Sequence, residues 1–314
     1  MQKNVIQYHT EFHLLMAASS LKDIDEIKLT TIIGPKSELS DTLKSLGATH
    51  IEKDCRSDPQ KTLPPIIPKK NGITIYTSFL IPFTAINYLK REGLNAGKVV
   101  RTDEGLGSFS NFTHMYSSAL YFSKTKQHPL KAAIYAAAHI AIDKATRITP
   151  AFKTDFIFTK NKLINKEKQK KATEILRAKT QDNTINGSCV YVSQPMLFNN
   201  FDTPKLYAEF IKETSKKVSP SKSLVVKKHR DDDFDYEAHG LKTLTGKSLE
   251  HYSLEKSTVF GVGSTALITA KILCNCSEVY YVPLTIGYDG LSAACKEIFQ
   301  KNLTLIEQNK NQKN

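Results

Sequence analysis

The segment Thr258-Val259-Phe260-Gly261-Val262-Gly263-Ser264-Thr265-Ala266 joins a β-favouring run to a glycine turn and a helix opening on two hydroxyls. Glu278-Val279-Tyr280-Tyr281 follows as the next strand. A strand, a helix and a strand at this spacing form a βαβ unit, which implies a parallel sheet. The same rhythm extends outward in both directions. Upstream, Cys189-Val190-Tyr191-Val192 and Leu224-Val225-Val226-Lys227 read as strands around a helix over Pro204–Lys217, and a last helix is expected over Gly290–Lys301. In the front half, Val5–Tyr8, Lys28–Ile33, Ile73–Tyr76 and Val99–Thr102 read as strands. Helices are expected between and after them at Glu11–Leu21, Glu38–Leu46, Pro82–Arg91, Ser108–Ser123 and Pro129–Lys144. A polar, Lys-rich stretch at 146–171 separates the two series. The expectation is an α/β chain of two Rossmann-like, doubly wound domains, 1–155 and 156–314, facing one another across a cleft.

Composition bounds the function. The 314 residues carry 44 Lys+Arg against 31 Asp+Glu, a formal charge of +13, with 40% apolar and 24% charged residues, a globular balance that excludes a disordered chain. Five cysteines are too few for a disulfide framework and favour a reducing compartment. No apolar run reaches the roughly 18–20 residues of a membrane-spanning helix. The nearest, Ala132 to Ile142, is short and interrupted by His139. Gln7, His9, Thr10, Glu11 and His13 break any signal-peptide core near the N-terminus, so a cytoplasmic protein is expected. The Lys residues are scattered. Their densest groups, Lys166–Lys171 and the tail Lys310–Asn314, lack interleaved aromatics, so a solvated helix face or attraction to anionic lipid or glycan is favoured over nucleic acid.

In parallel sheets of this kind ligands sit beyond the carboxyl ends of the strands, and those positions hold unusual residues. After the strand ending at Thr102 comes Asp103-Glu104-Gly105-Leu106-Gly107-Ser108. A carboxylate there can act as general base toward a hydroxyl, with Gly105 and Gly107 making the turn; the alternative is an acidic helix start. After Leu224–Val226 comes Lys227-Lys228-His229-Arg230, an anion site or a basic turn balanced by Asp231-Asp232-Asp233 and Asp235. Gly263, Ser264 and Thr265 offer a phosphate seat at a helix start, or an ordinary cap, without the lysine of a P-loop. Ser193-Gln194-Pro195 follows the strand Cys189–Val192, where Gln194 can reach a base or sugar edge. The acid run Asp231–Asp235 is also open to a Mg²⁺ or Mn²⁺ reading. Cys274-Asn275-Cys276 lacks a second pair at zinc spacing, and His9 and His13 lack an HExxH context, leaving them as residues lining the first βα turn. Together the motifs suit transfer of a group from a phosphorylated donor to a hydroxyl.

The order of these motifs resembles that of bacterial sialyltransferases, the glycosyltransferase family 52 and capsule sialyltransferase and polysialyltransferase group of GT-B fold. An acid–acid–glycine motif is matched by Asp103-Glu104-Gly105, a Lys-x-His-Pro motif by Lys227-Lys228-His229, and a Ser-Ser or Ser-Thr motif by Ser264-Thr265. Arg230 stands where the family has Pro. The resemblance implies CMP-sialic acid as donor, inversion at the anomeric carbon, no metal and no further cofactor. It implies a C-terminal donor half, with the phosphate held by His229, Ser264 and Thr265, the cytidine near Gln194, and Lys227, Lys228 and Gly263 also binding the donor. It implies an N-terminal acceptor half with Glu104 as base, Asp103 in reserve and His229 donating to the departing phosphate. The acceptor would be a cell-surface glycan, lipooligosaccharide or capsule. It can be lipid-linked, which would bring the basic protein to the inner face of the bacterial inner membrane; a homodimer is compatible. A GT-B transferase of another CMP-sugar, such as CMP-Kdo, and a non-catalytic anion-binding protein on the same fold are the competing readings.

Overall fold

The computed structural model describes residues 3–52, 72–78, 96–103, 111–121, 128–148, 152–158, 163–177, 182–195, 197–229, 231–244, 247–284 and 292–306. The first series of elements is β1 (Asn4–Gln7), α1 (Glu11–Ala18), β2 (Thr30–Gly34), α2 (Glu38–Ser45), β3 (Thr49–Glu52), β4 (Ile73–Thr77) and β5 (Ala96–Thr102). It continues through α3 (Phe112–Tyr121), α4 (Pro129–Ile148), β6 (Phe152–Asp155) and α5 (Lys166–Arg177). The second series is β7 (Cys189–Val192), α6 (Pro204–Val218), β8 (Leu224–Lys227), β9 (Lys242–Leu244), β10 (Thr258–Gly261), α7 (Thr265–Ile272), β11 (Glu278–Tyr281), α8 (Ala293–Asn302) and β12 (Thr304–Leu305). The helix expected over Pro82–Arg91 lies outside the described residues.

Each series builds one parallel sheet. The first has the order β3-β2-β1-β4-β5-β6 and the second β12-β11-β10-β7-β8-β9. Renumbered from its own first strand, the second sheet repeats the order of the first, 3-2-1-4-5-6, the doubly wound arrangement. The strand order reverses between β1 and β4 in one sheet and between β7 and β10 in the other. Those two seams are where a ligand is expected.

The chain divides into compact units of Met1–Ser108 with Ala137–Lys179, and Phe109–Ala136 with Thr180–Asn314. The polar stretch 146–171 thus supplies β6 and the start of α5 to the first unit.

The central strands form because both of their faces are covered. All four residues of β7 and all four of β10 are buried, as parallel strands between helix layers require. Thr203 starts α6 by accepting the Leu206 N–H at 3.2 Å, and Pro204 supplies a preset φ in the first turn. The helix then buries Tyr207, Ala208, Ile211, Thr214 and Ser215, one helical face. Tyr207 and Ile211 pack with Tyr191, Val226, Phe234 and Phe260 in the core of the second unit. Among the described residues no helix is long and apolar enough to cross a membrane. Cys189, Cys274, Cys276 and Cys295 are buried free thiols.

Candidate functional site

The seam of the second sheet gathers three of the four motifs. Register sets Gly261 beside Val192 and Val192 beside Lys227, so β10, β7 and β8 end in one row. The residues that follow are Gly263-Ser264-Thr265, Ser193-Gln194 and Lys228-His229. Gly261 is required here by close approach: a Cβ would stand 2.9 Å from the Val192 carbonyl oxygen.

Ser193 is fully buried, and its Oγ accepts the His229 N–H at 2.8 Å. Its own N–H donates to the Lys227 carbonyl at 3.2 Å. One side chain thereby pins the end of β8 to the end of β7. The His229 ring is 37% exposed, and its Nδ1 accepts the Asp231 N–H at 3.1 Å. An Nδ1 that accepts cannot hold the proton of a neutral imidazole, so in the neutral ring the proton lies on Nε2. Arg230 lies outside the described residues. Of its neighbours, the Asp231 N–H donates to the His229 ring and the Asp232 N–H to the His229 carbonyl at 3.0 Å. Lys228 Nζ donates to the Phe234 carbonyl at 2.8 Å and lies 5.9 Å from the centre of the Tyr236 ring, so it braces the loop. Lys227 is half-buried. Desolvation pushes its ammonium below the ordinary lysine range, partly opposed by the Glu250 carboxylate.

Within the acid run after His229, Asp232 is built into the core, while Asp233 and Asp235 are exposed. Asp232 is 3% exposed, and its Oδ2 accepts the Tyr236 hydroxyl at 2.6 Å. Tyr236 and Tyr207 hydroxyls are 3.1 Å apart, and those of Tyr207 and Tyr191 are 3.0 Å apart. Each phenol has one proton. With Tyr236 donating to the carboxylate, Tyr207 must donate to Tyr236 and Tyr191 to Tyr207, a one-way chain from β7 through α6 to Asp232. Burial pushes all three phenols above their ordinary range, so they stay protonated donors. Asp235 caps the next turn by accepting the Ala238 N–H at 3.1 Å. Among the described residues no cluster of three or more metal-ligating side chains occurs. The sequence reading missed this chain. Its signal was three tyrosines at apolar positions, because a buried phenol needs a partner.

At the third strand end, Ser264 caps α7, its Oγ accepting the Ala266 N–H at 3.2 Å, and is 7% exposed. Thr265 is the first helical residue and half-buried. The positive end of the helix dipole therefore lies in the same row as His229.

The acidic motif belongs to the first unit. Glu104, Gly105 and Gly107 lie outside the described residues. Asp103 is fully buried, and both of its carboxylate oxygens lie 2.9 Å from the Ile157 N, which donates to them. Lys168 Nζ stands 3.3 Å from Oδ2 of Asp103 and 3.4 Å from Oδ2 of Asp155, and also donates to the Ser20 Oγ at 2.7 Å. Burial pushes the Asp103 carboxyl above its ordinary range, against the pull of the Lys168 ammonium. Lys168 corrects one expectation. Within a run read as a solvated helix face, it is 2% exposed.

No family model matches the sequence, and no curated protein matches it. Among solved structures, the chain is similar to an alpha/beta-galactoside alpha-2,3-sialyltransferase from Photobacterium phosphoreum, with 12% identity and a TM-score of 0.49 over 97% of this chain and 99% of that one. It is also similar to the glycosyltransferase of kitacinnamycin, with 10% identity and a TM-score of 0.47 over 98% and 87%. A UDP-GlcNAc 2-epimerase from Neisseria meningitidis shows 13% identity and a TM-score of 0.46 over 85% and 79%.

Proposed function

We propose that the chain is a glycosyltransferase, and specifically an inverting, metal-independent sialyltransferase that uses CMP-sialic acid and a glycan hydroxyl. The observation that carries this reading is the row of residues beyond β10, β7 and β8. A helix N-terminus with Ser264 and Thr265, a glutamine and a histidine of fixed tautomer lie on three adjacent strands. That row suits a nucleoside monophosphate. Its phosphate would meet the helix end and Nε2–H of His229, and its base or ribose would meet Gln194.

In the proposed reaction the bond from the anomeric carbon to phosphate oxygen breaks as the acceptor oxygen attacks. The departing CMP takes the electron pair. Lys227, His229 and the hydroxyls stabilise its charge where a diphosphate leaving group would call for Mg²⁺. Glu104 takes the proton of the acceptor hydroxyl. Asp103 is assigned a positioning role, because Ile157 and Lys168 engage its carboxylate in a buried site directly before Glu104. The acceptor glycan, its attachment to lipid and work at a membrane surface belong to the same proposal.

The test is incubation with CMP-sialic acid, and in parallel CMP-Kdo, against a panel of galactosides and sialosides, with product masses as readout. Sialylated product is expected from the first donor. Glu104→Gln is expected to lower turnover by about 10²–10⁴-fold with CMP affinity unchanged. Absence of CMP binding, or full activity in that variant, overturns the reading.

A further inference from the structure

Helix α4 (Pro129–Ile148) is amphipathic the wrong way round. Its inward residues are small: Ala132 and Ala136 are fully buried. Its outward residues are large. Leu130 is 64% exposed and Ile134 61%, the two highest values for a large apolar side chain among the described residues. Ala137, Ala138 and Ala141 are exposed as well. At about 100° per residue, Leu130, Ile134, Ala137, Ala138 and Ala141 fall within an arc of about 100° over about three turns, the apolar stripe that a helix ordinarily buries. Exposed lysines flank the stripe, Lys131 on one side and Lys144 on the other, and Tyr135, 45% exposed, stands on the Lys131 side. The chain carries no Asp or Glu between Glu104 and Asp143, and the charged residues of that interval are all lysines.

We infer that this stripe is a docking face for an anionic lipid surface, on which α4 lies at headgroup level with Leu130 and Ile134 inserted. Outward leucine and isoleucine above inward alanine leave the larger apolar area in water, a cost that contact with an acyl layer removes. Lysines at both margins, with no acid among them, fit negative headgroups, and their stems lie along the acyl boundary while the ammonium groups reach outward. Tyr135 suits the same boundary, with an apolar ring and a polar tip. A second copy of the chain fits less well. Two such faces meeting would set lysine margins against lysine margins with no carboxylate to pair them. The helix is not long and apolar enough to cross a membrane, so the contact lies in the plane of the surface. The inference rests on the proposed function only in that a lipid-linked acceptor would share this surface; the docking itself stands on the helix.

The experiment is flotation of the full chain with vesicles of phosphatidylcholine alone and of phosphatidylcholine mixed with phosphatidylglycerol. It compares the wild type with the double variants Leu130→Gln/Ile134→Gln and Lys131→Gln/Lys144→Gln. All four positions are exposed, so both variants should melt as the wild type does. The wild type is expected to float with the mixed vesicles and to stay behind with phosphatidylcholine alone. Partitioning should fall about tenfold or more in each double variant. The chain has no tryptophan, so Ile134→Trp places a single reporter on the stripe, and its emission should shift to the blue with the mixed vesicles. A wild type that does not float overturns the inference. So does a Leu130→Gln/Ile134→Gln variant that floats as well as the wild type, or an unchanged Ile134→Trp emission while the protein floats. A dimer in solution that Leu130→Gln/Ile134→Gln dissolves gives the face to a second copy and overturns it too. Sialyl transfer to free lactose should be equal in the wild type and Leu130→Gln/Ile134→Gln. Flotation without transfer removes the sialyltransferase reading and leaves the docking face; transfer without flotation does the reverse.

Discussion

The Tyr236 hydroxyl donates to the Asp232 carboxylate at 2.6 Å, inside the core of the second unit. The same aspartate uses its backbone N–H to close on the His229 carbonyl at 3.0 Å. The imidazole at the candidate phosphate site is therefore held by the packed interior as well as by its own loop. Asp232 is the joint between the two.

Tyr236→Phe removes the donor and leaves a buried carboxylate one partner short. The expected cost is about 1–3 kcal/mol of stability, because an unsatisfied buried acceptor bears its desolvation penalty in full. The loop that orients His229 loosens with it, so CMP affinity falls. Urea denaturation and calorimetric CMP titration check both. Asp232→Asn keeps one acceptor oxygen for two donors, the Tyr236 hydroxyl and the Phe234 N–H at 3.1 Å, and should lose at least as much on each. Equal CMP affinity in the wild type and Tyr236→Phe would show that His229 does not depend on the tyrosine chain.

Gly261→Ala probes the seam itself. The new methyl would sit 2.9 Å from the Val192 carbonyl, a backbone atom that cannot rotate away. The strands β10 and β7 must part locally, at a cost of about 1–3 kcal/mol, as for other overpacked sites. Val192 leads directly to Ser193, which anchors His229, so CMP affinity should drop more than stability alone explains. A variant that loses stability but binds CMP as the wild type does would separate the seam from the site.

The inner strands were legible and the edges were not. β7 and β10 are continuous β-favouring runs because they are buried on both faces. The four strands that went unread, β3, β6, β9 and β12, are the four outer strands of the two sheets. They are short and polar, as in the exposed-to-half-buried pattern of Thr49–Glu52, and an edge strand carries little hydrophobic signal. The strand-end motifs were legible because a parallel sheet tells where to look. The role of Lys168 was hidden by its neighbours: a run of lysines reads as solvent-facing. Helical spacing held the clue, since Lys168 shares a face with Ala172, Ile175 and Leu176, all buried. The tyrosine chain was hidden for another reason. Tyr191, Tyr207 and Tyr236 are distant in sequence, and only the folded core joins their hydroxyls.

Asp103 and Lys168 give a variant pair that separates structure from chemistry. Asp103→Ala leaves the ammonium short of a carboxylate and the Ile157 N–H short of an acceptor, with an expected loss of about 3–5 kcal/mol. Asp103→Asn should be mild. Its amide oxygen still accepts from Ile157, Lys168 keeps Asp155, and burial already favours the uncharged carboxyl. Turnover within about tenfold of wild type is expected for Asp103→Asn under a positioning role. A loss of several orders of magnitude in a variant that melts normally would return the base to Asp103.

Lys227 supplies a pH signature. Burial lowers its pKa from the ordinary 10.5, with Glu250 opposing. In the ligand-free protein the unfolded chain therefore binds the proton more tightly than the fold does. The contribution of Lys227 to stability is full above 10.5 and is lost as pH falls through the lowered value. A phosphate beside the ammonium reverses the preference, because the charged form now has a partner. CMP affinity should then decline as pH rises through the free protein's Lys227 pKa, at a pH below 10.5 where an exposed lysine would still be charged. CMP titrations across the alkaline range, for the wild type and Lys227→Met, read this directly. The variant should bind more weakly near neutrality and should lack the alkaline decline. If the wild type and Lys227→Met fall in parallel, the phosphate does not meet Lys227, and the row at the ends of β10, β7 and β8 loses its cation.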